Sequence, residues 1–277
     1  MSNGSGGPAW PPRGEPAATA GPRGGERRPL VAANWKMHLV RREALAWCRA
    51  VREGLQSPAA ELVVFPSFPL LPAVAEAIAG SRLSLGGQDL HPEAKGAHTG
   101  DVSGPQLRDS GCAWVLCGHS ERRRDHGESD ELVGRKVAAA ERHGLLPVLC
   151  VGERREERQA GRTFEVLERQ LRAGLTGLTG RPARLAVAYE PVWAIGTGDT
   201  ATPATAQEAH AFLRRLLGES AGAAAAQGTR ILYGGSVTPE NAAALFAQPE
   251  VDGFLVGGAS LDPGRFLAII AGCGRAG

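Results

Sequence analysis

Short, uninterrupted apolar runs alternate with longer amphipathic stretches along the chain from Pro29 onward. Runs that are apolar at every position are typical of parallel strands buried under helices, whereas strands with one solvent face alternate apolar and polar residues. We predict eight strands, at Leu30–Asn34, Leu62–Phe65, Leu83–Gly87, Ala113–Cys117, Pro147–Val151, Leu185–Tyr189, Arg230–Tyr233 and Gly253–Val256.

The stretches between these runs repeat their apolar residues at helical spacing. We predict helices at Glu43–Leu55, Ala73–Ile78, Glu131–His143, Thr163–Leu175, Ala206–Leu217, Asn241–Phe246 and Gly264–Ile270. The third strand is followed by a long loop with at most one short helix, which the capping sequence Ser103-Gly-Pro-Gln106 would begin. Pro239 and Pro263 predict two further helix starts, because proline is favoured at the first helical position.

Eight strand–helix units in about 250 residues, without a tandem repeat, favour a single α/β domain folded as a (β/α)8 barrel. A doubly wound open sheet is the alternative. In the barrel, the carboxyl ends of all strands lie on one face, where the chemistry of such folds is built. Polar residues and glycines that follow strands are therefore the candidates for function.

The first 28 residues differ from the rest in composition. They contain seven glycines and five prolines with no apolar period, so we predict a disordered extension at residues 1–28 and the barrel at residues 29–277. The extension lacks the apolar segment of a secretory signal. Its four arginines and two glutamates account for the whole net charge of +2, so the barrel is neutral. A neutral barrel argues against nucleic-acid binding.

Membrane, disulfide and metal-binding interpretations find little support. No run approaches ~18 consecutive apolar residues, so we predict no membrane helix. Five cysteines, an odd number without a framework spacing, indicate buried reduced thiols and a cytoplasmic protein. No metal site is predicted, because His-x-His, His-Glu-x-x-His and Cys-x-x-Cys arrangements are absent.

Three strand ends carry the candidate catalytic side chains. Asn34 and Lys36 follow the first strand, and Lys36 is one of three lysines in a chain with 28 arginines. His119 follows the fourth strand at a helix start, where the helix dipole disfavours the imidazolium. Glu190 ends the apolar sixth strand, where burial would raise its pKa and make it a better base. Taken singly, an exposed loop lysine and a capping histidine remain the alternatives.

Glycines at other strand ends favour an anion site and a lid. Gly234-Gly235-Ser236 and Gly257-Gly258 follow the seventh and eighth strands, where barrels of this kind bind phosphate through backbone N–H groups. The stiff Pro191-Val192-Trp193 precedes the mobile Gly196-Thr197-Gly198, a combination that suits a loop closing over a ligand. Plain turn glycines are the alternative.

Six segments together resemble the triosephosphate isomerase family, in order, over about residues 29–272. They are Ala33–Met37, Cys117–Arg123, Gly127–Leu132, Tyr189–Gly198, Tyr233–Val237 and Gly253–Leu261. The resemblance implies a TIM barrel that interconverts dihydroxyacetone phosphate and D-glyceraldehyde 3-phosphate through an enediolate, in glycolysis and gluconeogenesis. It also implies a homodimer that needs no metal or organic cofactor.

The resemblance further implies the role of each catalytic residue. Glu190 would move a proton between two carbons of the triose, and neutral His119 would polarise the carbonyl, roles for which this family is the standard example. Lys36 would supply positive charge to the substrate, with Asn34 beside it and Glu121 supporting it.

Binding roles follow from the same resemblance. The backbone of four residues would hold the phosphate, namely Gly196, Ser236, Gly257 and Gly258. Residues near 192–201 would form a lid that excludes water. Thr99 would reach into the partner subunit's site, and Cys150 would support the site from below.

The departures from the family pattern are few. Where the family usually has Gln-Asn, this chain has Gln88-Asp89; the usual aromatic of the dimer loop is His98, and the usual Thr-Gly-Glu ends in Asp101. We assign these changes to the interface loop, so they concern dimer strength more than chemistry. His126 replaces a usual Phe, and Asp199 a common Lys at the far lid hinge. Two alternatives stay open: preference for a four-carbon sugar phosphate, and a barrel retained for binding or scaffolding.

Overall fold

Eight parallel strands close into one barrel in the computed structural model, which describes residues 27–55, 58–178, 185–194 and 201–274. The strands pair in chain order, and the first pairs with both the second and the eighth. They are β1 Leu30–Asn34, β2 Glu61–Phe65, β3 Leu83–Gly87, β4 Trp114–Cys117, β5 Leu146–Val151, β6 Ala186–Tyr189, β7 Arg230–Tyr233 and β8 Gly253–Val256. The predicted single (β/α)8 barrel is confirmed, and the open sheet is wrong.

Helices connect the strands and cover the outside of the barrel. They are α1 Arg41–Gly54, α2 Leu71–Ile78, α3 Gly104–Asp109, α4 Ser120–His126, α5 Asp130–Arg142, α6 Arg155–Gln159, α7 Thr163–Leu175, α8 Pro203–Ala221, α9 Ala223–Gly228, α10 Pro239–Phe246 and α11 Pro263–Gly272. Short 3-10 turns lie at Phe68–Leu70, Val192–Ala194 and Gly258–Leu261. No helix in the described ranges is long and apolar enough to cross a membrane.

The predicted strands all form, with ends that differ by no more than one residue. The three predicted helix starts are also confirmed. The side chains of Ser103 and Asp262 accept hydrogen bonds from the first turns of α3 and α11, and at the start of α10 the Thr238 N–H donates to the Asn241 side chain at 2.8 Å. Sequence reasoning missed α4, α6 and α9. The first two are almost entirely polar, and α9 is mostly alanine, so none has an apolar period to detect.

Two apolar layers hold the barrel together. Alternate strand residues fill its interior, among them Phe65, Trp114 and Leu232. The other strand residues pack outward against the helices in a larger cluster. All five cysteines are buried and unpaired, as predicted.

Arg27 and Arg28, which the sequence assigned to the extension, lie on the barrel instead. Arg27 Nε is 2.6 Å from Asp252 Oδ1, and Arg28 donates to the carbonyl oxygens of Ala59 and Ala60 at 3.1 and 3.2 Å. Two guanidinium groups thus find acceptors at the amino-terminal end of the barrel. The remainder of the predicted extension, residues 1–26, lies outside the described residues.

Candidate active site

A cavity of about 490 Å³ opens at the carboxyl ends of the strands. Residues that the sequence selected line it, among them Asn34, Lys36, His119, Glu190, Ser236, Gly257 and Gly258. They come from five different strand ends and span the chain from β1 to β8. The barrel thus brings together residues more than two hundred positions apart in sequence.

Glu190 and His119 form the centre of this site. Glu190 Oε1 lies 2.9 Å from His119 Nε2, and Glu190 Oε2 accepts a hydrogen bond from the backbone N–H of Ser120 at 2.9 Å. Both side chains are almost fully buried, with 2% of Glu190 and 5% of His119 exposed. A carboxylate and an imidazole in this contact can exchange a proton without bulk water.

The sequence-based expectation that Glu190 has a raised pKa is wrong for this arrangement. Burial does oppose ionisation of the carboxyl. However, His119, the N–H of Ser120 and the charge of Lys36 outweigh burial and hold the pKa of Glu190 below its ordinary value. Glu190 is therefore ionised at neutral pH.

His119 is positioned by the start of α4. Its Nδ1 accepts a hydrogen bond from the backbone N–H of Glu121 at 3.3 Å, which makes His119 the N-cap residue of this helix. The Glu121 carboxylate is farther away, 3.6 Å from the same nitrogen. Because Nδ1 acts as an acceptor, the ring carries its proton on Nε2, where it points to Glu190. The Nε2–H of His119 is thus a hydrogen-bond donor toward Glu190.

Lys36 is held in a strained backbone conformation beside the cavity. Its φ of 51° is in the left-handed region, which a lysine rarely adopts. The Asn34 side chain accepts from the Lys36 N–H at 3.0 Å, and the Gln88 amide donates to the Lys36 carbonyl at 2.8 Å. The Lys36 ammonium then reaches Glu121 Oε1 at 2.7 Å, as the resemblance implied. The two amides compensate for the strain and fix the direction of the charge.

The opposite wall of the cavity consists mainly of backbone. Gly258 begins the 3-10 turn after β8, and a Cβ atom at this position would meet nothing within 4 Å, so its backbone borders open space. A Cβ at Gly257 would lie 3.4 Å from the Lys36 side chain. The backbone of both glycines is therefore open to an anion that also approaches the lysine.

Of three further residues predicted for the site, two do not line the cavity and one lies outside the described residues. Thr99 is exposed in the loop between β3 and α3 and does not line the cavity. Cys150 is buried at the end of β5 near Glu190, and burial raises the pKa of its thiol well above the ordinary value. Gly196, the central lid residues and Asp199 lie outside the described residues.

Sequence reasoning missed Glu153, a fully buried carboxylate close to the site. Its Oε1 accepts from Trp193 Nε1 at 2.9 Å and from the Tyr189 hydroxyl at 3.2 Å, and its carbonyl accepts from the Val192 N–H at 3.1 Å. Glu153 thereby ties down the first residues of the predicted lid. It lies two residues after β5, and Glu190 lies one residue after β6, so the strand-end rule could have found it.

Asp89 follows β3 at the start of the loop that leads to α3, and its side chain is buried. It lies in a buried cluster of two carboxylates and two cations, formed by Asp89, Arg122, Glu128 and Lys136. Lys136 Nζ lies 2.6 Å from both Asp89 Oδ1 and Glu128 Oε1, and Arg122 contacts both carboxylates at 2.8–2.9 Å. The side chain of Asp89 turns inward because these cations lie below the loop. We call these four residues the buried cluster.

Comparison with known proteins gives a consistent result. A family model described as triosephosphate isomerase matches residues 29–273. A triosephosphate isomerase of Moorella thermoacetica is 56% identical over 88% of this chain and 98% of its own length. Those of Symbiobacterium thermophilum and Magnetococcus marinus are 53% and 50% identical over 90% and 89% of this chain, and each is covered over 98% of its length.

Proposed function

The chain belongs to the triosephosphate isomerase family, and we propose that Glu190, His119 and Lys36 carry out its reaction at the mouth of the barrel. The protein is an isomerase of triose phosphates, converting dihydroxyacetone phosphate into D-glyceraldehyde 3-phosphate and back, as a step of glycolysis and gluconeogenesis. The observation that supports the residue roles best is the 2.9 Å contact between Glu190 and His119 within a cavity that also contains Lys36.

Glu190 is the base in this proposal. It takes a proton from one carbon next to the substrate carbonyl and returns a proton to the neighbouring carbon. Both of its oxygens are engaged by His119 and by the N–H of Ser120, so the carboxylate rotates away from them before it reaches substrate. Gly234 packs close to this side chain, since a Cβ there would lie 3.0 Å from Glu190 Cγ. Its lowered pKa keeps Glu190 ready to accept a proton at neutral pH.

His119 and Lys36 stabilise the charge that forms on the substrate oxygens. When Glu190 removes the carbon proton, the electron pair moves to the carbonyl oxygen and gives an enediolate. The Nε2–H of His119 donates a hydrogen bond to that oxygen, and the fixed ammonium of Lys36 adds positive charge nearby. Neither group has to reorganise, because α4 holds His119 and Asn34 holds Lys36.

The phosphate is bound by the backbone wall of the cavity. Ser236, Gly257 and Gly258 lie after β7 and β8, the usual place for phosphate in this fold. Gly196 would add a further contact from the lid at about 192–201. Glu153 supports this part of the proposal, because it holds Val192 and Trp193 where the lid begins.

The proposal includes the oligomeric state and the location of the protein, a homodimer in the cytoplasm. Thr99 is exposed and does not line the cavity of its own chain, which fits a residue that acts in the partner's site. Met37, next to Lys36, is 92% exposed and the nearby Val40 is 61% exposed, and two exposed apolar side chains close together beside the active site favour a protein partner. Buried unpaired thiols are typical of a reducing compartment.

The dimer is tested by sedimentation velocity on the wild type and Met37→Glu. We expect the wild type to sediment as a dimer and the variant to dissociate, because a carboxylate would be buried in an apolar contact. Ala46→Glu, on the exposed side of α1, is the control and should leave the dimer intact. A wild type that sediments as a monomer, or a dimer unaffected by Met37→Glu, contradicts the assignment of this surface.

The catalytic assignment is tested by steady-state assays in both directions on the wild type and Glu190→Gln. We expect turnover of the variant to fall by about 10²–10⁴-fold, the usual contribution of a general base. Glu76→Gln, an exposed change of the same kind on α2, should keep full activity. A folded Glu190→Gln variant with wild-type turnover would show that another group is the base.

A further inference from the structure

One arginine lies in the wall of the active-site cavity and has no role in the reaction described above. Arg265 lines the same cavity as the phosphate glycines Gly257 and Gly258, and it is exposed to solvent. The phosphate group of a triose phosphate carries about two negative charges at neutral pH. The charge of Arg265 therefore faces the space that this anion enters, and it attracts the anion.

The start of α11 explains how Arg265 reaches the cavity. Arg265 is the third residue of this helix, and its N–H donates to the capping carboxylate of Asp262 at 2.8 Å. Side chains in a helix tilt toward its amino-terminal end. The long side chain of Arg265 therefore extends back past the beginning of α11, toward the turn that holds Gly257 and Gly258.

The stability of α11 does not explain why a cation stands at this position. The amino-terminal end of a helix carries partial positive charge, which favours anions and disfavours cations. Apart from the capping Asp262, the first turn of α11 contains no acidic residue that would offset the charge of Arg265. The helix and the arginine thus present positive charge at the same place, an arrangement that suits an anion outside the helix.

The charges that line the cavity show what Arg265 contributes. With the histidines counted as neutral, the charged side chains of this wall are Lys36, Arg265, Glu121 and Glu190. Lys36 is paired with Glu121 at 2.7 Å, and Glu190 is ionised at neutral pH. Without Arg265, two carboxylates would outweigh one ammonium, and the wall would repel a dianion. The guanidinium brings the net charge of these side chains to zero.

The guanidinium is also free to act on a ligand. Among the residues that the structure describes, it forms no ion pair with a carboxylate. Glu240, on α10, is an acidic neighbour, and its pKa is lowered chiefly by the side chain of Thr238 and least by the charge of Arg265. Glu240 does not line the cavity. An incoming phosphate therefore does not have to displace a bound carboxylate from Arg265.

We propose that Arg265 is a further binding residue for the phosphate group, whose guanidinium draws the dianion into the cavity and onto the backbone of Gly257 and Gly258. This inference rests on the proposed function, because it assigns one more residue to the same substrate. Arg265 takes no part in proton transfer, so its charge acts on the capture of substrate and not on turnover. The loops assigned to the dimer, after β1 and β3, do not contain it.

The test compares Arg265→Gln with the wild type in steady-state assays of dihydroxyacetone phosphate at low ionic strength. We expect kcat/KM to fall by about 3–10-fold through a higher KM, with kcat within about 2-fold, because one steering charge is lost. In ~0.5 M salt, where screening is strong, the difference should shrink to less than about 2-fold. Arg265→Lys keeps the charge and should keep most of the wild-type kcat/KM. The unfolding free energy of Arg265→Gln should not fall, since the helix dipole disfavours the arginine.

Two controls separate a phosphate contact from a general effect of charge or structure. Arg82→Gln removes an exposed arginine directly before β3, at the opposite end of the barrel, and should leave KM unchanged. D-Glyceraldehyde lacks the phosphate group, so its proton exchange in D2O should be equally fast with the wild type and with Arg265→Gln. A structural defect in the variant would slow both substrates.

Binding of inorganic phosphate, followed by phosphorus-31 NMR, tests the inference without turnover. At low ionic strength we expect a Kd about 3–10-fold weaker for Arg265→Gln than for the wild type and for Arg82→Gln. The inference is overturned if Arg265→Gln binds phosphate as tightly as the wild type, if Arg82→Gln is weakened equally, or if D-glyceraldehyde is slowed as much as the phosphorylated substrate. The proposed function fails in a different way, namely if the wild type does not convert dihydroxyacetone phosphate.

Discussion

Two clusters of four charged or titratable residues lie on either side of α4, and they differ in what surrounds them. The mouth cluster consists of Lys36, His119, Glu121 and Glu190, and it lines the cavity of about 490 Å³. The buried cluster pairs two carboxylates with two cations, and Lys136 is only 4% exposed. Similar residue types thus face a ligand cavity in the mouth cluster, whereas in the buried cluster they face each other.

The difference shows that the same types of charged side chain can act in a reaction or stabilise the fold, depending on what surrounds them. In the buried cluster the charges neutralise one another at 2.6–2.9 Å, and removal of a cation leaves the two carboxylates with too little compensation. In the mouth cluster Lys36 is strained, and Glu190 must leave two hydrogen bonds to react. In the mouth cluster, substrate can replace the hydrogen bonds that Glu190 makes. In the buried cluster, the ion pairs stay in place.

The two clusters are joined through α4. His119 caps this helix, Glu121 contacts Lys36, and the adjacent Arg122 binds Asp89 and Glu128. Arg122 and its partners thereby anchor the helix that positions His119. We infer that the buried cluster affects catalysis through the placement of α4 and not by contact with substrate.

The largest effect is expected at the centre of the mouth cluster, in His119→Leu. Loss of the donor to the enediolate should lower turnover by about 10²–10³-fold. Because leucine keeps Glu190 buried but removes the partner that favours its ionised form, the pKa of Glu190 should rise. Carbon-13 NMR of the carboxyl, titrated in the ligand-free protein, measures that pKa, which the contacts of the wild type hold below its ordinary value. His126→Leu, at the end of the same helix, should change neither quantity, and an unchanged pKa in His119→Leu would contradict the coupling.

A large effect on stability, with a smaller one on turnover, is expected for Lys136→Met. It leaves Asp89 and Glu128 facing each other with only Arg122, which should cost about 3–5 kcal/mol of unfolding free energy. Urea unfolding at fixed protein concentration measures the loss. Lys95→Met, the same change at an exposed position, should stay within about 0.5 kcal/mol of the wild type. Equal stability of the two variants would show that the buried cluster is not structural.

The smallest effect is expected for Asp89→Asn, which restores the residue usual in the family. Burial raises the pKa of Asp89 above 3.8, against the pull of Lys136 and Arg122, so its ionised form is disfavoured in the folded protein. The stability of the wild type relative to the variant should therefore fall as the pH rises through the window above 3.8. At pH 7 we expect a difference within about 1 kcal/mol and unchanged turnover. Unfolding experiments across that pH range check the sign, and a variant several kcal/mol less stable at pH 7 would contradict it.

The fold was predictable because every strand is a short apolar run bounded by polar residues. Residues such as Val63 and Leu232 lie in such runs, so their burial can be predicted from the sequence alone. The position of the polar α4 cannot be predicted in this way, because it depends on capping by His119 and on the contacts of Arg122 and Arg123. Local pattern carries no information about such long-range contacts.

The candidate site was predictable to the level of residue identity but not of geometry. Strand-end position and family resemblance selected Asn34, Lys36, His119 and Glu190. The lowered pKa of Glu190 depends on donors from another strand end, and the placement of Asp89 depends on Lys136, 47 residues away. These features arise only when the barrel closes, and no local sequence pattern records them.

The most direct test of the two-cluster account is proton exchange on the substrate itself. Dihydroxyacetone phosphate is incubated in D2O with the wild type, Glu190→Gln or Lys136→Met, at a temperature where each is folded, and proton NMR follows deuterium incorporation next to the carbonyl. The account predicts a loss of at least about 10²-fold for Glu190→Gln and a rate within about 10-fold of the wild type for Lys136→Met. Incorporation at the wild-type rate by Glu190→Gln, or an equal loss in folded Lys136→Met, would contradict it.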